Sequence, residues 1–208
     1  MIGVVDYGMG NLYSVSKALE RLGAKAELVE TADGVRKADK LILPGVGAFG
    51  DAMKELQKRD LIAPILDAVA QKKPLLGVCL GLQLLFESSE EGGEHEGLGL
   101  VRGRVRKFSS SELKGEKRIK IPHMGWNQVA VLNGGAVLFH EVPPNEYFYF
   151  VHSYYVVPDE TAVIAGQTDY GIKFTSAISS GRVYGCQFHP EKSHRFGQVV
   201  LKNFLERA

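Results

Sequence analysis

Cysteine is nearly missing, with two residues in 208. Two cannot build a disulfide framework or a four-cysteine zinc site. Neither charge sign dominates: 25 Lys and Arg face 24 Asp and Glu, a formal net charge of +1. That balance gives no global pull toward nucleic acid or an anionic membrane. No apolar run approaches the roughly 18 residues of a membrane span. The opening Met1-Ile2-Gly3-Val4-Val5-Asp6 has no basic stretch ahead of an apolar one, so no secretory signal is expected and a reducing, cytoplasmic setting is. Internal repeats and Pro-rich linkers are absent too, which predicts a single domain over 1–208. Hydrophobic residues, at 45%, suffice for a sizeable core and exclude a disordered chain. Glycine is plentiful, with 24 residues, and signals tight turns and close backbone approaches.

The first half alternates strands with helices. Ile2–Val5 is a short apolar run ending at Asp6. After the Gly8-Met9-Gly10 turn, Asn11 suits an N-cap, and Leu12, Val15, Leu19 and Leu22 recur at helical spacing up to Gly23. Strands are expected at Ala26–Val29, at 40–43 before Pro44-Gly45, and at 74–78. Helices are expected at 51–57, at 61–71 with Pro64 in the first turn, and at 80–87. Apolar strands separated by helices predict a parallel sheet covered on both faces. From about residue 98 the pattern changes to short β-like runs at 99–108, 127–132, 147–152, 162–167, 177–179 and 182–188. Turn signals such as Asn133-Gly134-Gly135 and Pro143-Pro144-Asn145 separate several of them, and a helix at 195–206 closes the chain. The fold class is therefore α/β: a mostly parallel sheet with flanking helices, plus an added antiparallel β segment.

Charge is clustered locally. Glu87, Glu90, Glu91, Glu94 and Glu96 form an acidic stretch. Arg102, Arg104, Arg106, Lys107, Lys114, Lys117, Arg118 and Lys120 outnumber Glu112 and Glu116 in the stretch that follows. Two readings stay open for both stretches: solvated faces, or a docking surface or phosphate-attracting rim.

The sharpest chemical signal is Gly77-Val78-Cys79-Leu80-Gly81. It is the cysteine form of a nucleophile elbow, placed between an expected strand and an expected helix. Such a turn exposes the sulfur, and a helix N-terminus behind it favours the thiolate. Far along the chain, Gln187-Phe188-His189-Pro190-Glu191 ends another apolar strand. His189 can serve as the base that a Cys nucleophile needs, and Glu191 as the carboxylate that orients it. The N–H of Leu80 is the first candidate oxyanion donor, and the Pro44-Gly45-Val46-Gly47 turn the second. Three weaker signals carry nothing. Gly8-x-Gly10 lacks the third glycine of a dinucleotide fingerprint, since Tyr13 stands there. Cys186-x-x-His189 lacks further metal ligands. The aromatic run around Tyr147 and Trp126 has no basic interleaving for stacking bases. From the residues alone, a cysteine peptidase, another hydrolase of this architecture and a non-catalytic module that kept the fold remain open.

The elbow, continued as Leu82-Gln83, with His189-Pro190-Glu191 resembles the class I (triad) glutamine amidotransferases. Asp6-Tyr7-Gly8-Met9-Gly10-Asn11, Pro44-Gly45-Val46-Gly47, Pro122-His123-Met124-Gly125-Trp126-Asn127 and Tyr147-Phe148-Tyr149-Phe150-Val151-His152-Ser153-Tyr154 narrow the likeness. They resemble the glutaminase subunits of imidazole glycerol phosphate synthases, in the same order over nearly the whole chain. The resemblance implies a flavodoxin-like fold and hydrolysis of glutamine without metal or cofactor. It implies Cys79 as nucleophile, His189 as acid and base, Glu191 as its orienter, Gly47 and Leu80 at the oxyanion, and Gln83, Ser153 and Tyr154 at the glutamine. It also implies a separate (β/α)8-barrel cyclase as partner, which uses the ammonia in histidine biosynthesis. His123, Trp126, Asn127, Tyr147 and Tyr149 are the expected partner-facing set, because Tyr and Trp suit interface anchors.

Overall fold

The computed structural model describes residues 1–109, 120–132 and 137–208. The first half runs β1 (Ile2–Val5), α1 (Leu12–Arg21), β2 (Ala26–Val29), α2 (Ala32–Lys37), β3 (Lys40–Gly45), α3 (Phe49–Lys58), α4 (Ile62–Ala70), β4 (Leu75–Cys79) and α5 (Leu80–Leu84). The second continues with β5 (Phe86–Ser89), β6 (His95–Glu96), β7 (Val101–Lys107), β8 (His123–Val131), β9 (Glu146–His152), β10 (Tyr154–Pro158), β11 (Ile164–Asp169), β12 (Lys173–Ser180), β13 (Val183–Cys186) and α6 (His194–Arg207). Strands β2, β1, β3, β4 and β13 lie side by side and parallel. From β13 the sheet turns antiparallel through β12, β10 and β7. A branch off β12 carries β11, β8 and β9, also antiparallel.

The apolar strands put successive side chains into two layers. Val5, Leu41 and Leu43 point into one, with Phe49, Leu56 and Ile65 of the helices. Val4, Ile42, Leu76 and Val78 point into the other, with Phe148, Phe150 and Phe188. The catalytic candidates therefore sit at the carboxyl ends of β4 and β13, where an open α/β sheet places its ligands.

Local chemistry accounts for several boundaries. Asn11 caps α1 by accepting a hydrogen bond from the Ser14 N–H at 3.3 Å. Thr31 does the same for α2 from Gly34 N; this helix was not expected, being six residues long with a glycine inside. Strand β3 continues through Pro44-Gly45 instead of stopping before it. Its pairing with β1 ends at Ile42, so the missing N–H of Pro44 removes no ladder bond on that side. The expected helix over 80–87 is a correction: it ends at Leu84, and Phe86–Ser89 is a strand beside β7. The returning chain captures its carbonyls, with Leu98 N bonding Leu84 O and Leu100 N bonding Leu85 O. Strand β10 was also not expected.

The acidic stretch has a partly structural role. Glu91 accepts from Phe49 N at 2.8 Å, Glu87 from Gly103 N at 2.9 Å and Glu90 from Lys107 N at 2.7 Å. Three of its carboxylates thus tie backbone together. Along β7, Arg102 and Arg104 are exposed between buried Val101, Gly103 and Val105, the pattern of a solvated strand face. Lys114, Lys117, Arg118, Glu112, Glu116 and the turn at Asn133 lie outside the described residues.

Candidate active site

Cys79 takes φ +56° and ψ −110°, a conformation that non-glycine residues rarely adopt. It is the bend between β4 and α5. Two glycines make the bend possible. A Cβ on Gly81 would collide with the carbonyl oxygen of Leu43 on β3, and one on Gly77 would lie 2.6 Å from Gly81 O. Because α5 has only five residues, its dipole supports the sulfur less than a long helix would.

Cys79 is 6% exposed and lines a cavity of about 380 Å³. Leu80, Gln83, Gly47, Ser153, Tyr154 and His189 line the same cavity. Glu191 stands behind His189, accepting from its Nδ1–H at 2.8 Å, with both side chains almost fully buried. The His189 backbone is clamped. Its N–H donates to Tyr149 O at 2.9 Å, and its carbonyl accepts from Ser193 Oγ at 2.6 Å. Ser193 Oγ in turn accepts from Tyr149 N at 3.0 Å. Burial opposes a charged His189. Interaction with Cys79 and Glu191 outweighs it and raises the imidazole to about 10. The remaining ring nitrogen, Nε2, interacts with the sulfur without reaching closed hydrogen-bond geometry; such contacts are often loose before substrate binds.

Tyr7, Gln187 and Ser193 belong to this site and were not assigned a role in it from the sequence, while His152, part of the aromatic run 147–155 expected to edge the active face, lines the cavity. Tyr7 is fully buried and donates to Pro44 O at 2.9 Å, under the Gly45 to Gly47 turn. Burial, then the nearby Cys79, pushes its phenol up. Gln187 directs its Nε2 toward Cys79 Sγ at 3.8 Å. A glutamine inside the apolar run 183–188 was the available signal.

The aromatic set divides. Trp126 and Tyr147 are exposed, at 45% and 53%, while Phe148 and Phe150, which alternate with the tyrosines, are fully buried. The Trp126 ring stacks on His194 at 4.8 Å and 6°. Tyr149 is half-buried. His123, expected on the partner face, is only 2% exposed and instead packs against Phe150 and Tyr170. It is a correction: the period-two alternation along β8 turns His123 inward.

Burial lowers His123 to about 4 and His152 to about 3. The unfolded imidazoles take protons near 6.5, so between about pH 6.5 and 4 the unfolded chain binds more protons and stability falls as pH falls. Each imidazole should remove about 2 kcal/mol between pH 7 and pH 5. Urea denaturation across that range checks this, and His123→Phe should reduce the slope by about half. An unchanged slope would remove His123 as a contributor.

The model of the family described as glutamine amidotransferase class-I matches residues 3–208. The chain belongs to the class I glutamine amidotransferases. The imidazole glycerol phosphate synthase subunit HisH of Moorella thermoacetica is 52% identical to this amidotransferase over 205 residues, covering 99% of this chain and 94% of that one. The subunit of the same name from Bacillus licheniformis is 50% identical, covering 99% and 96%. Among solved structures, a glutamine amidotransferase aligns with TM-score 0.75 at 19% identity, covering 99% and 97%. The Trypanosoma brucei CTPS glutaminase domain with bound acivicin aligns with TM-score 0.67 at 16% identity, covering 100% and 94%. At those identities the structures speak for the fold.

Proposed function

We infer that this amidotransferase hydrolyses glutamine to glutamate and ammonia as the glutaminase subunit of an imidazole glycerol phosphate synthase. The ammonia passes to a cyclase subunit that makes imidazole glycerol phosphate and an aminoimidazole carboxamide ribonucleotide in histidine biosynthesis. About 50% identity over nearly the whole chain to such subunits carries this reading. The elbow Cys79 beside the His189–Glu191 pair supplies the chemistry it needs. The partner is a (β/α)8-barrel, and the setting is cytoplasmic.

The Cys79 thiolate attacks the side-chain amide carbon. The carbonyl electrons move onto oxygen, which the N–H of Leu80 and a peptide N–H of the Gly47 turn stabilise. His189, protonated and held by Glu191, gives its proton to the amide nitrogen, and ammonia leaves. Water, deprotonated by His189, then attacks the thioester, and glutamate departs as the thiol reforms. Gln83, Ser153 and Tyr154 hold the amino-acid end. Trp126 and Tyr147, exposed on the same side as His194, meet the cyclase.

Glutamine turnover should be measured for the isolated chain, the cyclase complex, and the complex with a cyclase-site ligand. Turnover should be greatest in the ligand-loaded complex. A peptide misplaced in the Val46–Gly47 turn, where Gly47 sits at φ +104°, would cost about 10²–10³ through one absent oxyanion donor. Absence of hydrolysis in all three states would overturn the reading. Trp126→Ala should weaken cyclase binding about tenfold or more with little change in thermal midpoint. Lost stability with unchanged binding would instead make Trp126 a packing residue.

A further inference from the structure

A chain of hydrogen bonds crosses the molecule from Asn127 to Cys79, and the proton positions along it follow from its ends. Asn127 Oδ1 accepts from Gln128 N at 2.8 Å. Its Nδ2 therefore faces the other way, donating to Asp169 O at 2.9 Å and lying 3.2 Å from His123 Nε2. At the far end, the Tyr154 carbonyl can only accept, so His152 Nδ1, 2.7 Å away, carries the hydrogen. A neutral imidazole carries one hydrogen, so His152 Nε2 accepts. Its partner at 2.9 Å, His123 Nδ1, must then donate. That leaves His123 Nε2 as the acceptor for Asn127, and every link has one donor and one acceptor. The surroundings favour the neutral rings. Phe108, Phe150, Phe174 and Tyr170 pack around them, and burial lowers both imidazoles well below neutrality.

The chain does not stop at Tyr154. The same carbonyl oxygen accepts from Gln83 Nε2 at 3.1 Å, and the second Gln83 Nε2 hydrogen goes to Gln187 Oε1 at 3.2 Å. This forces Gln187 to turn its Nε2 toward Cys79 Sγ. Both Gln83 amide hydrogens are thus committed, and Oε1 is the atom these bonds leave over, an acceptor suited to an ammonium group. The orientation of two amides beside the nucleophile is therefore decided by where the Tyr154 carbonyl stands. On its other side that carbonyl is held by His152, which His123 holds in turn.

We propose that His123 and His152 are positioning residues of the glutamine pocket: as a pair of neutral Nδ1–H imidazoles they hold the Tyr154 carbonyl, and through it the amides of Gln83 and Gln187, in the substrate-binding orientation. The proposal rests on the glutaminase reading above. It explains why polar rings occupy an aromatic core when Phe would pack as well. It also gives His123, which is shut away from the surface, a route into the pocket.

The test uses the cyclase complex with its cyclase-site ligand. His152→Leu removes the donor to Tyr154 and should raise the KM for glutamine about tenfold, with kcat within about threefold. His123→Leu, one bond further away, should raise KM about threefold. His152→Asn places an amide N–H near the Nδ1 position and should bring KM back to within about twofold of the native value. Titration with an electrophilic glutamine analogue corrects each rate for folded, active protein. Unchanged KM in both Leu variants, or no rescue by Asn, overturns the proposal. If the native complex itself fails to hydrolyse glutamine, the glutaminase reading fails instead. A second measurement is independent of variants and of activity. Nitrogen-15 NMR of the native chain should show Nδ1–H tautomers for both imidazoles at pH 7. An Nε2–H tautomer or an imidazolium at either ring would overturn the strut.

Discussion

Cys79→Ala should reduce glutamine hydrolysis by about 10⁴-fold or more while leaving the fold and cyclase binding intact. Removing the nucleophile leaves only binding and oxyanion donors to act on the amide, and those alone retain a small part of the catalysis. The substitution is mild for the structure, because alanine keeps the Cβ at a φ of +56° that the chain already tolerates. An electrophilic glutamine analogue should label Cys79 and spare Cys186. Cys186 is fully buried, and burial, followed by the charges of Glu191 and Cys79, pushes its thiol well up. Labelling at Cys186 with Cys79 untouched would end the assignment. Within the same set, His189→Ala should cost more than Glu191→Gln. Loss of the base removes both proton transfers, whereas the neutral amide at 191 only weakens support of an imidazolium. Near-native turnover of the His189 variant would require another base.

Gly81→Ala should destabilise the protein by about 3 kcal/mol or more, the upper end for overpacking a well-filled interior. The added Cβ would meet the Leu43 carbonyl, which belongs to a central strand and cannot move aside like a flexible side chain. Gly92→Ala provides the comparison. Gly92 has φ +70° but nothing within 4 Å of its Cβ position, so only backbone strain of about 1–2 kcal/mol is expected there. Urea denaturation of both variants measures the difference. Equal losses would mean that the elbow glycines serve conformational freedom rather than the close approach of α5 to β3.

Cys79, His189 and Glu191 could be singled out as candidates from the sequence because each carries a local signature. Gly77 and Gly81 flank Cys79 within five residues, and His189-Pro190-Glu191 puts an imidazole and a carboxylate on one short turn, although the Leu43 carbonyl that Gly81 makes room for lies on another strand. The parallel half of the sheet was legible for a similar reason. Strands buried on both faces are continuous apolar runs, as in Leu41 to Leu43 and Leu75 to Val78. Where local patterns misled, a distant segment decided. Residues 80–87 read as helix, yet the chain returning at Leu98 to Leu100 takes the carbonyls that a longer helix would have used. The three glutamates of the acidic stretch look like a solvated face until their backbone partners on α3 and β7 are known.

By itself, then, the sequence marked out the parallel α/β frame and singled out Cys79, His189 and Glu191 as candidates, since these depend on turn chemistry and on periodicity over a few residues; the reaction type came from the family resemblance of its motifs. Only the tertiary structure decided that Gln187 faces the sulfur, that Ser193 and Tyr149 clamp His189, and that His123 lies inside rather than on the partner face. Those facts depend on segments brought together from 29 to 108 positions apart. A histidine reads the same in sequence whether it points to solvent or into the core; the register of β8 against β9, pairing His123 with His152, settles which.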